Sequence, residues 1–164
     1  MLKILFLDLD GVMVPDREER LVETSVFNSD VFGSECVKIL NEIIEETDCQ
    51  IVLTSDWRLF FSLSQIWEIF KFNKVSRMPI AFTGLATDSG GWPLAARLEE
   101  FRGIEIRRWL KQHGLEFDNK FDFWVAVDDM DLSPHVRRFV LSPFTDGLAA
   151  PGIKEKIIKK LNGE

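Results

Sequence analysis

Tyrosine is absent from the 164-residue sequence, and cysteine and histidine occur only twice each. The two cysteines, Cys36 and Cys49, do not have the spacing of metal ligands and do not suggest a disulfide framework, which favours a reducing compartment. No apolar run approaches the roughly 20 residues that a membrane-spanning helix needs. The N-terminal segment has one lysine and a short apolar run, without the pattern of a signal peptide. We therefore predict a cytoplasmic protein with no membrane partner.

Positive charge is also scarce, because 20 lysines and arginines face 27 aspartates and glutamates and leave a net charge of −7. A protein that wraps nucleic acid must neutralise many phosphates, so this balance excludes that mode of binding but allows a local basic patch. A length of 164 residues suits one domain, since domains commonly contain about 100 to 200 residues. We therefore predict a single domain over residues 1–164.

Short apolar runs alternate with segments of helical periodicity along the chain. The runs predict strands at residues 3–7, 50–54, 80–82, 122–127 and 139–141. The periodic segments predict helices at residues 34–47, 59–72, 101–113 and 151–161. Ser34 and Asp56 are the expected N-caps, and Pro151 is expected in the first turn of the last helix. This alternation predicts an α/β fold, a three-layer α/β/α sandwich with a mostly parallel, Rossmann-like sheet.

Polar residues follow three of the predicted strands. The first strand ends at Asp8 and Asp10, the second at Thr54 and Ser55, and the third strong strand at an aspartate pair, Asp128-Asp129. Ligands of open α/β sheets bind beyond the carboxyl ends of the strands, so these groups should converge at one edge. Buried carboxylates are costly unless a cation compensates them. Magnesium prefers oxygen ligands and commonly bridges to phosphate, so we predict a Mg²⁺ site and a phosphorylated substrate.

The Asp8-Leu9-Asp10-Gly11 segment suggests a division of labour. A carboxylate can act as a covalent nucleophile toward phosphorus, and Asp8 is placed for that role. Asp10 can protonate the leaving oxygen and later deprotonate the attacking water. Gly11 permits the turn that lets both acids face one site. Phosphoryl transfer also needs groups that hold the equatorial oxygens; Thr54 supplies a hydroxyl, and an arginine or lysine should supply charge.

Together these segments resemble the four motifs of the haloacid dehalogenase (HAD) superfamily over residues 4–129. The segment Ile51–Arg58, which contains Trp57-Arg58, resembles HAD domains related to RNA-repair proteins, and so do Arg102–Ile106 and Gly147-Leu148. The resemblance implies that Asp8 is the nucleophile and a metal ligand, and that Asp10 is the general acid and base with its backbone carbonyl on the metal. It further implies that Asp128 holds Mg²⁺ directly, and that Asp129 holds it through water or orients the site.

The same resemblance implies a phosphate-binding set formed by Thr54, Ser55, Arg102 and Arg58. The third motif of the family is usually lysine; here Arg102 is the first candidate and Arg97 the second. Arginine is a permanent charge with a forked geometry rather than a compact ammonium. Arg58 is expected to touch either the phosphate or Asp129.

Many HAD proteins carry a cap domain, and we expect this chain to have no independent one. We predict only a flap at residues 13–32 and an irregular insert at residues 73–100. An open site suits a large or protruding phosphate, such as a nucleic-acid end or a phosphoprotein.

Two other functions fit parts of the pattern. A non-enzymatic binding module could keep the fold and the metal, although a degenerate site usually loses one of the first two acids. A receiver-like phospho-acceptor domain also gathers acids, threonine and a basic residue around magnesium. Receivers place the phosphorylated aspartate on a middle strand, whereas Asp-x-Asp-Gly follows the first strand here. The sequence therefore favours a phosphatase that works through an aspartyl-phosphate on Asp8.

Overall fold

The computed structural model describes residues 2–15, 30–115 and 123–164. The strands are β1 (Ile4–Leu7), β2 (Gln50–Leu53), β3 (Ala81–Phe82), β4 (Trp124–Asp128) and β5 (Phe139–Leu141). The helices are α1 (Ser34–Thr47), α2 (Leu63–Phe72), α3 (Leu98–Gln112) and α4 (Ile153–Leu161). Two short 3₁₀ helices span Asp56–Leu59 and Gly147–Ala149. Within these ranges, none of the helices combines the length and the apolar character needed to span a membrane.

The five strands form one sheet in the order β3-β2-β1-β4-β5, and all four pairings are parallel. Strand β1 lies in the middle because the chain adds β2 and β3 on one side and then β4 and β5 on the other. The strand order therefore reverses beside β1, and such a reversal is where open α/β sheets bind ligands. The predicted α/β fold class with a parallel sheet is confirmed.

Alternate residues of the strands face two separate hydrophobic cores, as the two-residue repeat of a strand requires. On one face, Leu5, Leu7, Ile51 and Leu53 pack in a core that also contains buried residues of α1, α2 and α4. On the other face, Ile4, Phe6, Val52 and Trp124 pack with buried residues of α3. The sheet thus lies between helices on both sides, and the predicted three layers are present.

The two predicted N-caps, Asp56 and Ser34, are wrong. Asp56 does not cap a long helix, because Ser55 caps the 3₁₀ helix that begins at Asp56. Helix α2 begins later, after Ser62, whose hydroxyl accepts a hydrogen bond from the Gln65 backbone while the Gln65 side chain accepts one from the Ser62 backbone. Ser34 is the first residue of α1 rather than its N-cap, which is Gly33.

The segments predicted as flap and insert are only partly described. Residues 16–29 of the predicted flap at 13–32 lie outside the described residues. The irregular stretch predicted at 73–100 contributes the edge strand β3, and it ends at residue 97 because α3 begins at Leu98. Nη1 of Arg108 in α3 donates to the backbone carbonyls of Leu85 and Thr87. The stretch is therefore fastened to the helix that lies on the second face of the sheet.

Candidate active site

Asp8, Asp128 and Asp129 form an acid cluster at the carboxyl edge of the sheet. One carboxylate oxygen from each lies within 4.8 Å of the others. Leu7 of β1 is paired in register with Val127 of β4, so the next residues, Asp8 and Asp128, lie side by side at the strand ends. Asp8 and Asp128 are buried, and Asp129 is partly exposed. The structure therefore brings together three of the four acids that the sequence predicts for the metal site; Asp10, predicted to bind through its backbone carbonyl, is not part of this side-chain cluster.

Gly11 makes room for the acid cluster. Its backbone has a φ of +68°, a conformation that residues with a Cβ adopt only with strain. A Cβ at this position would lie 2.5 Å from Oδ2 of Asp129. The turn after β1 is closed by hydrogen bonds from the Met13 and Val14 backbones to the carbonyl of Leu9. Glycine is thus required here both by the turn and by the neighbouring carboxylate.

Arg102 brings the compensating positive charge from helix α3. Its Nη1 donates to Asp8 Oδ1 at 3.2 Å and to Asp128 Oδ2 at 3.3 Å, and its Nη2 donates to Asp56 Oδ1 at 3.3 Å. Burial lowers the pKa of Arg102, but the surrounding carboxylates outweigh burial and raise the pKa above its usual value. Arg97 lies at the N-cap of α3, where it is 71% exposed and paired with Glu99.

The acid cluster carries more negative charge than Arg102 can neutralise. Three ionised carboxylates and one guanidinium leave a formal charge of −2. Burial, and then the neighbouring Asp8, raise the pKa values of Asp128 and Asp129, while Arg102 opposes this shift. A compact set of carboxylate oxygens with a residual charge of −2 has the chemistry that a hard divalent cation requires, so the side chains present fit Mg²⁺.

Asp10 is held from another direction, by an indole. The side chain of Trp57 donates from Nε1 to Asp10 Oδ2 at 3.1 Å. The Trp57 ring is buried and packs against Phe32 and Phe61. Trp57 therefore belongs to the core and also orients the second acid of the first motif. Its place in the RNA-repair-like segment was the only sequence signal for this contact.

The polar groups after β2 lie beside the acids and have separate tasks. Thr54 is one residue beyond Leu53, which is paired with Leu7, and Thr54 is therefore next to Asp8 at the sheet edge. The Ser55 hydroxyl accepts a hydrogen bond from the Trp57 backbone at 3.4 Å, which caps the 3₁₀ helix. The Ser55 hydroxyl accepts this bond and keeps its own O–H to donate, so its predicted contact with phosphate stays a prediction.

Arg58 does not point at the acid cluster. Its Nη2 donates to both carboxylate oxygens of Glu105, at 2.7 Å each, and its Nη1 donates to the carbonyls of Thr54 and Ser55. This placement differs from the predicted contact with phosphate or Asp129, because Glu105 is a nearer acceptor that the strand-end pattern did not include.

Two acids of the site escaped the sequence analysis, namely Asp56 and Glu105. Glu105 lies three residues after Arg102 on α3, which is a spacing that places two side chains on one helix face. That spacing was a usable signal for the pair. Beside these residues a cleft of about 180 Å³ opens, and it is lined in part by Leu59, Leu85 and Phe101.

The parallel sheet, with aspartates after β1 and β4 around a buried arginine, defines the chain as a HAD-like domain. The model of one family, the HAD domain in Swiss Army Knife RNA repair proteins, matches residues 4–153. The chain belongs to this family. Comparison with curated proteins and with solved structures found no match.

Proposed function

We propose that this protein is a magnesium-dependent phosphatase that hydrolyses a phosphate monoester through an aspartyl-phosphate on Asp8. The observation that carries the proposal is the position of Arg102 Nη1, 3.2 Å from Asp8 and 3.3 Å from Asp128. A nucleophile, a cation site and a fixed positive charge thereby meet at one point. Phosphoryl transfer relies mainly on such positioning and charge stabilisation.

In the first step, an oxygen of Asp8 attacks phosphorus, and the bond from phosphorus to the ester oxygen breaks. The guanidinium of Arg102, adjacent to Asp8, neutralises charge on the equatorial oxygens. Thr54, on the neighbouring strand end, donates its hydroxyl to one of them. Mg²⁺ held by Asp8, Asp128 and Asp129, together with the backbone carbonyl of Asp10, would neutralise the remaining charge on the phosphoryl group.

Asp10 moves the protons of the two half-reactions. It gives a proton to the leaving oxygen in the first step and takes one from the attacking water in the second. The water then displaces orthophosphate and restores the Asp8 carboxylate. The hydrogen bond from Trp57 at 3.1 Å keeps the Asp10 carboxyl in one orientation during both transfers.

We infer that the substrate is the phosphorylated end of an RNA. The family is named for RNA repair proteins, and the described part of the chain contains no second sheet that could form a cap. The net charge of −7 opposes contact with a long stretch of nucleic acid. A protruding terminal phosphate agrees with all three properties, because only that phosphate enters the site while the rest of the RNA stays outside it.

The first test is magnesium-dependent hydrolysis of p-nitrophenyl phosphate by the native protein and by Asp8→Asn. We expect turnover that requires Mg²⁺ and is lost in the variant. The second test compares the hydrolysis of RNA that has a 3′- or 5′-phosphate end with the hydrolysis of phosphorylated small molecules. We expect the higher kcat/KM for the RNA ends.

The outcomes separate the alternatives. Absence of turnover with every phosphate ester would contradict the phosphatase and favour a binding module that keeps the fold. Turnover of small esters with no preference for RNA ends would refute only the substrate assignment. Beryllofluoride binding without turnover would favour a receiver-like acceptor.

A further inference from the structure

Glu105 is a buried carboxylate that the proposed reaction does not use. Its side chain is 4% exposed, and it lies between two arginines. It accepts two hydrogen bonds of 2.7 Å from Arg58, and its Oε2 lies 4.0 Å from Nε of Arg102. Its Oε1 also accepts from the backbone of Ala86 at 3.3 Å. All of its described partners are either arginine side chains or a backbone N–H.

Burying these charged groups costs the folded state free energy of desolvation. Burial raises the pKa of Glu105, and the charges of Arg58 and Arg102 counter the shift. Burial likewise lowers the pKa of Arg58, and Glu105 counters it. Buried ion pairs often contribute no more stability than well-packed apolar residues of similar volume. A stability role alone therefore gives little reason for an ion pair at this place.

The contacts of Arg102 indicate what the pair does. Nη1 contacts Asp8 and Asp128, and Nη2 contacts Asp56. Glu105 faces Nε, the remaining edge of the guanidinium. A phosphoryl group on Asp8 would compete with the carboxylates for Nη1, and the charge of Glu105, 4.0 Å from Nε, would still attract the guanidinium. Arg102 could then bind the phosphoryl oxygens while its side chain keeps its position in the site.

We propose that Glu105 is a positioning residue for Arg102, and that Arg58 fixes Glu105 in the required orientation. The inference rests on the proposed phosphatase function, for which Arg102 binds the phosphoryl oxygens. Arg58 is thereby assigned an indirect task, since it touches neither Asp8 nor Asp128 within the described hydrogen bonds. Both oxygens of the Glu105 carboxylate accept from the single nitrogen Nη2 of Arg58, at 2.7 Å each, while Nη1 anchors the guanidinium on the carbonyls of Thr54 and Ser55.

The test begins with Glu105→Gln, which keeps the shape of the side chain and removes its charge. We expect kcat to fall about 10- to 100-fold, the usual effect of removing a group that orients a residue of the site. KM should change much less, because the lost interaction matters most when charge develops on the phosphoryl oxygens. Asp48→Asn is the control for charge removal, since Asp48 forms an ion pair with Arg77 at the same 2.7 Å distance outside the site; this pair matches in charge and distance but not in burial, because Asp48 is 86% exposed.

A double-mutant cycle distinguishes positioning from a structural role. Arg102→Lys keeps a positive charge at this position but lacks the Nε that faces Glu105; we expect it to lower kcat, and its kcat is the reference for the second arm of the cycle. In that background Glu105→Gln should lower kcat by less than about two-fold. A fall as large as in the native background would overturn the proposal, because Glu105 would then act by another route.

Two further measurements keep the inference testable if Glu105→Gln does not fold or if the native protein shows no turnover. Arg58→Lys keeps the buried charge but removes the guanidinium, whose Nη1 donates to the Thr54 and Ser55 carbonyls while its Nη2 donates to Glu105. An unchanged kcat in this variant would refute the proposal. Beryllofluoride binding in the presence of magnesium, measured by calorimetry, needs no turnover and should weaken about ten-fold in Glu105→Gln. Failure of native turnover with this weakening intact would refute the phosphatase alone.

Discussion

Removal of one charge from the acid cluster should stabilise the metal-free protein. Asp129→Asn is the most suitable change, because Asp129 is the least buried of the three acids. Two unit charges at the 4.8 Å limit of the cluster repel each other by about 3.5 kcal/mol at an effective dielectric constant of about 20. Attraction to Arg102, solvent screening and partial protonation reduce this repulsion, so we expect a net gain of about 1 to 3 kcal/mol in the free energy of unfolding.

The gain should depend on pH in a defined direction. Burial, followed by the charge of Asp8, raises the pKa of Asp129 in the folded protein. A carboxyl whose pKa is raised by folding stabilises the folded state at low pH, and that stability is lost as the pH rises through the raised pKa. The native protein should therefore be at its greatest disadvantage near neutral pH, and the advantage of Asp129→Asn should disappear on acidification.

Urea unfolding in chelator-treated buffer between pH 4 and pH 8 measures the effect. Glu68→Gln, on the exposed side of α2, removes the same charge outside the cluster and should change little. Magnesium at about 100 times its Kd should add roughly 2.7 kcal/mol to the native protein and less to the variant. Equal stabilities of the native protein and Asp129→Asn without metal at pH 7, or a gain that is the same at every pH, would refute the charge argument.

Two further predictions concern groups around the acids. Gly11→Ala should lose about 1 to 2 kcal/mol of stability because of the positive φ at this position. It should also weaken magnesium binding in a titration, because the new Cβ would lie 2.5 Å from a carboxylate oxygen of the acid cluster. The control Gly91→Ala, with a φ of +81° and no atom within 4 Å of the new Cβ, should lose stability without a change in magnesium binding. Trp57→Phe should reduce kcat on the order of 10- to 100-fold by removing the indole N–H that donates to Asp10, whereas Trp109→Phe in the other core should reduce stability and leave kcat unchanged.

Much of the sheet could be predicted from the sequence because its strands are short, apolar and separated by helical periodicity. The helix starts were harder, since Asp56 and Ser62 are both good N-caps and only the geometry of the chain selects between them. Helix α3 begins three residues earlier than predicted. Its first turn, from Leu98 to Glu100, contributes little to the core and therefore leaves no apolar pattern in the sequence.

The residues of the candidate site likewise fall into those that the strand pattern predicts and those that depend on helix packing. Asp8 and Thr54 follow strands and Asp128 ends one, so the geometry of a parallel sheet brings them together without further information. Glu105 and Trp57 reach the site from a helix on one face and a 3₁₀ turn on the other. Their contacts depend on how those elements pack, and a pattern along one strand or helix does not encode that packing.

The central position of β1 has a consequence for how the protein is made. Asp8 follows the first strand, whereas Asp128 ends the fourth strand and Asp129 follows it, so the acids meet only when β4 pairs with β1. Pairings between segments so distant in the chain form late, because loop closure must come first. A ribosome-bound chain can therefore assemble α1 and β2 around β1 before the mutual repulsion of the carboxylates exists. Asp8, the proposed nucleophile, is therefore synthesised well before the acids that complete its site.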